Sequence, residues 1–407
     1  MHTGTTGDRV RPLVPIIAMG PANGRPRTAW SPNFRAWHLT GCALTLFVCS
    51  ATACEDPPAP SDGVRAVWTH HEKGAAAQPY VDDELSVFTT FDEARVVALD
   101  TRTGDVAWTR RLSLPSGIPF QGLPNANIVA FEDLVIVPAW DVYALDRRSG
   151  AVRWRFQSID DFPGAGEVAL SAGRVYGTGR LLYALDARTG ALLWQTDLGE
   201  QPFYPVVAGG VVYVATRRET PPGSGVLGAG HALAVDALTG AIIWKYPISD
   251  VSPSQQGGSV GPLFVGEELV LVAGINGRVY ALERQTGTLR WESAGSGRYS
   301  AGVVVLDGTV IVASSVGSVE GFDLATGTRR WQSPPASSVQ ATITLGGNSV
   351  LVAVGTLTAY DTDGRTLWQH GGAGFGGPVY TTPATYHGGV VYVGSTTGFH
   401  AIRPPTQ

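Results

Sequence analysis

One strand–turn–strand unit, written eight times along the chain, predicts an all-β protein. The expected architecture is an eight-bladed β-propeller of four-stranded blades, with the last blade closed by the N-terminal strand. Two further observations agree. Gly 52 and Pro 27 are interleaved with short apolar blocks such as Val211-Val212-Tyr213-Val214, which means many short strands separated by tight turns. No stretch shows convincing helical periodicity of its apolar residues.

The repeat is explicit. Ala98-Leu99-Asp100-Thr101-Arg102-Thr103-Gly104 leads to Trp108, and the same order runs from Asp146 and Gly150 to Trp154, and from Asp186 and Gly190 to Trp194. It continues from Asp236 and Gly240 to Trp244, from Glu283 and Gly287 to Trp291, and from Asp323 and Gly327 to Trp331. Asp361 reaches Trp368 with one residue fewer. Each position has a physical task. The apolar run before Asp is a strand; Asp caps the turn by accepting backbone N–H groups, and Gly supplies its positive φ. The small residue two places before Asp leaves room for a large ring nearby. One unit cannot cover its own Trp, so neighbouring units must do so.

The ends complete the count. The C-terminal segment holds the strands Gly389–Val393 and Gly398–Ile402 and stops without a Trp strand. Val64-Arg65-Ala66-Val67-Trp68 is a Trp strand with no blade before it. Together they make the eighth blade, with Val64–Thr69 expected beside Phe399–Ile402. Closure of this kind removes open sheet edges. Trp194 and Trp291, within complete repeats, are expected to be the most costly docking residues to lose.

This pattern resembles the tryptophan-docking motif of the PQQ-like propeller repeats found in quinoprotein dehydrogenases and in BamB, over about residues 64–407. Resemblance to the dehydrogenases implies Ca²⁺ held by acidic and amide oxygens, an Asp base and often adjacent cysteines against the quinone. The chain has no adjacent cysteines, and Asp160, Asp161 and Asp250 are the loop carboxylates to consider, more simply explained by solvation. Resemblance to BamB implies a non-enzymatic subunit of the machinery that inserts β-barrels into the outer membrane. The apolar–Arg stretch and Gly-Glu-Ser-Ala-Pro-like segment of that family's partner loop are not found after Trp194 or Trp244. The expectation is a monomeric scaffold without catalytic residues, metal or cofactor, meeting other envelope proteins, including barrel-assembly subunits, through its long-loop face. An extracytoplasmic ligand-binding or sensor lipoprotein is the alternative.

All three cysteines, Cys42, Cys49 and Cys54, precede the repeats, which excludes a thiol nucleophile or Cys-held zinc from the body. Residues 1–53 carry five arginines against Asp8, or +4 of a net charge of −5, so the remainder stands near −9. Nucleic acid is a poor partner for such a surface. Arg35, the apolar run Leu39–Val48 and the small residues Ser50-Ala51-Thr52-Ala53 read as an export signal on residues 1–53. Cys54 behind them reads as a lipid attachment site that opens a tether, residues 54–63, rich in Pro and acid. Cys42 is the rival, since Leu39-Thr40-Gly41-Cys42 matches a lipobox better but lacks an apolar run before it. Met19 is an alternative start. The periplasmic face of the outer membrane is the expected location, reached through the lipid alone.

The long loops Pro115–Asn127, Ser158–Glu167, Ser249–Gly261, Pro334–Gln340 and Gly371–Pro378, with the insertion Arg217–Gly230, fall on one face and form the expected binding side. His70-His71 is a poor chelate, because neighbours on a strand point apart, and reads as a solvated strand end. Arg217-Arg218 and Arg329-Arg330 read as exposed charges, and Tyr204, Tyr299 and Phe375 as core or loop anchors rather than a binding rim. If Cys54 carries the lipid, Cys54→Ser releases the protein from membranes on fractionation while Cys42→Ser leaves it bound; the opposite result moves the cleavage site to Cys42.

Overall fold

Each repeat folds into an antiparallel four-stranded meander because its strands carry two different burial patterns. In the first blade, β2 (Tyr80–Val81), β3 (Leu85–Thr89), β4 (Arg95–Asp100) and β5 (Val106–Arg111) lie in that order. The middle strands β3 and β4 are buried almost throughout, whereas β5 is largely exposed and turns one large ring, Trp108, inward. The computed structural model describes residues 63–72, 78–90, 94–113, 127–157, 166–218, 230–248, 261–334, 342–372 and 377–405, all within the unit Pro57–Gln407. Cys42, Cys54, Asp160, Asp161, Asp250 and Phe375 lie outside the described residues.

Eight such sheets are present. Their inner strands follow one another around a ring: β2, β6 (Val129–Phe131), β10 (Val168–Ser171), β14 (Gln201–Ala208), β18 (Phe264–Val265), β22 (Tyr299–Leu306), β26 (Thr342–Leu345) and β30 (Thr385–His387). A parallel bridge between Gln78 and Asn127 joins the approaches to β2 and β6, and β30 touches β2, so the ring closes. The protein is an eight-bladed β-propeller.

The closing blade is made from both ends of the chain. β1 (Arg65–His70) lies antiparallel to β32 (Phe399–Arg403), with Thr69 opposite His400 and His70 opposite Phe399. β31 (Val390–Gly394) and β30 complete that sheet. The expected pairing of the N-terminal strand is therefore present.

The core is not one mass but eight apolar clusters, each lying between adjoining blades. Every cluster receives one of the eight tryptophans, Trp68, Trp108, Trp154, Trp194, Trp244, Trp291, Trp331 and Trp368, from the outer strand of the earlier blade. Trp68 joins Tyr392, Phe399 and Ala401 of the closing blade to Phe88, Val97 and Leu99 of the first. Removing a large aromatic from such a core costs roughly 3–5 kcal/mol. Denaturant titration should therefore show Trp68→Ala destabilised comparably to Trp194→Ala, although Trp68 stands outside any complete repeat. A near-neutral Trp68→Ala would mean that β1 adds little to closure.

Candidate functional site

The turn after each Trp-bearing cluster is a docking joint with three matched parts. Trp68 Nε1 donates to Thr101 O of the next blade at 3.0 Å, Trp108 Nε1 to Arg147 O at 2.8 Å and Trp154 Nε1 to Ala187 O at 3.1 Å. Trp194, Trp244, Trp291 and Trp331 repeat the bond to Ala237, Arg284, Leu324 and Thr362. Trp368 makes no such bond among the described residues, because the turn it would meet is where the chain ends of the closing blade part.

The second part is the turn glycine. Gly104 has φ +77°, and a Cβ there would stand 2.7 Å from Cδ2 of Trp68, so both the backbone and the contact require a bare Cα. Gly150 makes the same approach to Trp108, as do Gly190, Gly240, Gly287, Gly327 and Gly364 to the ring of their preceding blade. The third part is the acid. Asp100 Oδ1 accepts the N–H groups of Arg102 (2.9 Å) and Thr103 (3.1 Å), and Asp146, Asp186, Asp236, Asp323 and Asp361 cap their turns likewise. Glu283 instead accepts Arg290 Nε. Opposite each Trp in register stands a small residue, from Ala98 facing Trp108 to Ala401 facing Trp68, with Gly321 facing Trp331.

The opposite, long-loop ends of the strands carry buried polar groups. Asp141, 1% exposed, accepts Arg155 Nε at 2.5 Å. Glu167 accepts Thr178 Oγ1 at 3.2 Å and Tyr204 N at 3.1 Å, and burial pushes its carboxyl up. Glu200 accepts Thr216 Oγ1 at 2.5 Å, with His231 Nδ1 2.8 Å away and Arg218 Nη2 at 3.5 Å. Glu320, 0% exposed, collects Ser296 N and Oγ, the Tyr299 hydroxyl at 2.9 Å and Arg329 Nη1 at 3.3 Å. His370 meets Tyr380, and His400 lies between Ser395 Oγ (2.7 Å) and Thr69 Oγ1 (3.2 Å).

These groups satisfy one another within or beside a blade, so they anchor loop bases rather than converge on a substrate. Ser395 with His400 has the separation of a nucleophile and its base. Yet Ser395 is buried and already accepts the N–H groups of Thr397 and Gly398, and His400 meets Thr69 rather than a carboxylate. No group of three or more His, Cys, Asp or Glu residues that could hold a metal ion occurs among the described residues.

One reading made from the sequence is corrected, that of His70 as a solvated strand end, and the exposed arginines prove to have partners. His70 is not solvated: it packs edge-on to Phe88, and its Nε2 lies 3.2 Å from Glu72, while His71 is exposed. Arg329 and Arg330 are exposed but not free, ending on Glu320 and Asp323. Arg218 ends on Glu200, and Arg217 lies over the Phe203 ring at 5.1 Å. Tyr299 is wholly buried. The buried acids escaped the reading. Glu320, inside the apolar run Val319–Phe322, is the one whose position in the pattern signals burial.

The fold and its described faces thus define a tryptophan-docked propeller whose repeated residues serve closure of the ring. A family model described as "Outer membrane protein assembly factor BamB" matches residues 59–155, 138–250 and 228–398, and the chain belongs to that family. Among solved structures it is similar to BamB from Moraxella catarrhalis, at TM-score 0.63 and 17% identity, over 83% of this chain and 97% of that one. It is also similar to the quinohemoprotein alcohol dehydrogenase from Comamonas testosteroni, at TM-score 0.63 and 16% identity, over 84% of this chain and 78% of that one. A europium-containing methanol dehydrogenase matches at TM-score 0.65 and 13% identity, over 83% and 85%. At such identities these likenesses show the fold. No curated protein sequence matches.

The capped turns make stability fall in acid. Side-chain and backbone donors hold Asp146, Asp186 and Asp236 below the usual carboxylate range, backbone donors do so for Asp100, and Asp323 is lowered to about 2 by Thr326 and Arg330. A lowered folded value means that the unfolded chain binds more protons between about 4 and about 2, so stability is lost as pH falls through that window. Burial, then the His370 and His71 imidazoles, lowers His400 to about 4. Against an unfolded value near 6.5, its loss spans about 6.5 to about 4. Denaturant midpoints should therefore decline in both ranges, with His400→Gln removing part of the upper decline and Asp323→Asn part of the lower. Midpoints unchanged from pH 6.5 to 4 in the parent protein would contradict the placement of His400.

Proposed function

We propose that this protein is a non-catalytic, lipid-anchored envelope scaffold of the BamB kind, which binds other envelope proteins through its long-loop face and takes part in outer-membrane protein assembly. The observation that carries the reading is the family match along the propeller body, from residue 59 to residue 398. Its support from the site is that Asp141, Glu200 and Glu320 beneath that face are each paired within or beside their own blade, with the Tyr183 hydroxyl a buried exception, so these acids hold loop bases in place. Cys54 supplies the anchor in this reading, with residues 54–63 as tether and residues 1–53 as the exported leader. The Asp–Gly turns and docking tryptophans then act only to hold the platform rigid.

The second reading, a quinoprotein dehydrogenase, is favoured by the likeness to the two alcohol-oxidising enzymes. Two assays separate them. Affinity capture of the full-length protein from detergent-solubilised envelopes should recover barrel-assembly subunits, and dye-linked oxidation of alcohols or sugars with added PQQ and Ca²⁺ should stay at background. Turnover that disappears on chelation would replace the scaffold reading with the enzymatic one. Capture without assembly subunits would remove the assembly role.

A further inference from the structure

The repeat architecture sets up an internal comparison that singles out one arginine. Arg147 and Arg284 occupy the same place, the residue after the turn acid, in Asp146-Arg147-Arg148-Ser149-Gly150 and Glu283-Arg284-Gln285-Thr286-Gly287. Each offers its backbone carbonyl to the docking tryptophan of the preceding blade. Their guanidinium groups meet different surroundings. Arg147 is neutralised by that blade, with Nη2 2.6 Å from Asp82 and 3.1 Å from Glu84 in the turn between β2 and β3. The corresponding turn beneath Arg284 is Ala208-Gly209-Gly210-Val211, which carries no acid.

Where the carboxylates would stand there is instead a cleft of about 310 Å³. Arg284 lines it and has no ion pair among the described residues. It is nonetheless held in place. Its Nε donates to the Tyr213 hydroxyl at 3.1 Å, its Nη1 donates to Gly266 O at 3.0 Å, and its guanidinium lies 5.9 Å from the Tyr213 ring centroid. Val87 fills the place of Tyr213 in the first blade, and there the Nε of Arg147 is buried without a partner. Arg284 is thus positioned by neutral groups while Nη2 points toward the bare Cα of Gly209, where a Cβ would stand 2.7 Å away. Val211 and Ile243 give the cleft apolar walls, and Glu267 is exposed to solvent at its rim.

We propose that the cleft between the fourth and fifth blades, on the face opposite the long loops, binds a carboxylate carried on a short apolar stem, with Arg284 taking the place in that pair that Arg147 has with Asp82. The Nη2 donors of a half-buried guanidinium without an ion pair among the described residues select an anion, as Arg147 Nη2 meets both oxygens of Asp82, and the aliphatic walls accept the stem. Two sources share this chemistry: a small free carboxylate, and an acidic side chain of a polypeptide segment.

The test follows the Trp244 indole N–H by NMR, because that group bonds to Arg284 O, with the signal assigned through Trp244→Phe. Full-length protein is titrated with butyrate, with butyramide as the uncharged control, and with a capped Val-Glu-Val peptide. Butyrate should give a saturable shift and butyramide none. Arg284→Gln should weaken binding by about tenfold or more, as expected for loss of a hydrogen bond to a charged partner. Gly209→Asp keeps Arg284 but supplies an internal carboxylate, at a positive φ that Asp tolerates better than most residues, and should abolish binding while preserving the fold. Tighter binding of the peptide than of butyrate assigns the site to a polypeptide partner; equal or weaker binding assigns it to a small carboxylate. An equal response to butyramide, an unchanged response in a folded Arg284→Gln or Gly209→Asp protein, or no saturable response to either carboxylate probe overturns the proposal.

Discussion

The structure depends on one joint: an indole laid flat on the next blade's turn, its N–H bonded to that turn's first carbonyl and its ring pressed against a residue with no side chain. Each component is inadequate alone. A single hydrogen bond contributes about 1 kcal/mol net, and a Gly-closed turn is a local element that does not choose its neighbour. Placed together across a blade boundary they fix both the distance and the tilt between sheets. Only a bare Cα lets the ring come so close, and only a carbonyl at that height can take the proton from Nε1. The small residue facing each Trp in register, such as Ala98 or Ala401, completes the socket from the side of its own blade.

Much of this was legible in the chain because the joint is written in short, local spacings. An acid, Gly and Trp recur eight residues from end to end in six repeats, the acid being Asp in five and Glu283 in the other, and an unmatched Trp strand at Trp68 announces closure of the ring. The other half of the joint was hidden. Gly104 touches Trp68 across 36 positions, so its glycine was read as serving its own turn when it serves another blade's ring as well. The polar plugs at the long-loop ends are hidden for the same reason: Glu320 finds Arg329 and Tyr299, and Glu200 finds His231, by topology rather than by adjacency. Whether Arg284 is neutralised depends on a turn more than 70 residues earlier, which no local pattern reports.

The two faces of the ring are consequently unlike in their constraints. The turn face is governed by the joint, and its residues are repeated because seven of the eight blade boundaries make the same demand. The long-loop face is governed blade by blade. Asp141 with Arg155, Glu167 with Thr178, Glu200 with His231 and Glu320 with Tyr299 are different solutions to one problem, that of ending a strand without leaving a buried polar group unpaired. Variation from blade to blade is accommodated there because the ring is already held from the other side. The cleft at Arg284 is an exception on the regular face, and it arises where Gly209 and Gly210 replace an acidic turn.

Pairing of β1 with β32 also governs the order of events in folding. Residues 65–70 must wait for residues 399–403, a separation of more than 300 positions, whereas the other sheets form from contiguous segments. Contacts so distant in sequence carry the largest loop-closure cost and are the slowest to form. Until they do, β1 has no sheet, and the apolar surfaces around Phe88 and Phe399 have no cover. Ring closure is therefore a late event, and during synthesis from the N-terminus β1 is made long before the strand it pairs with.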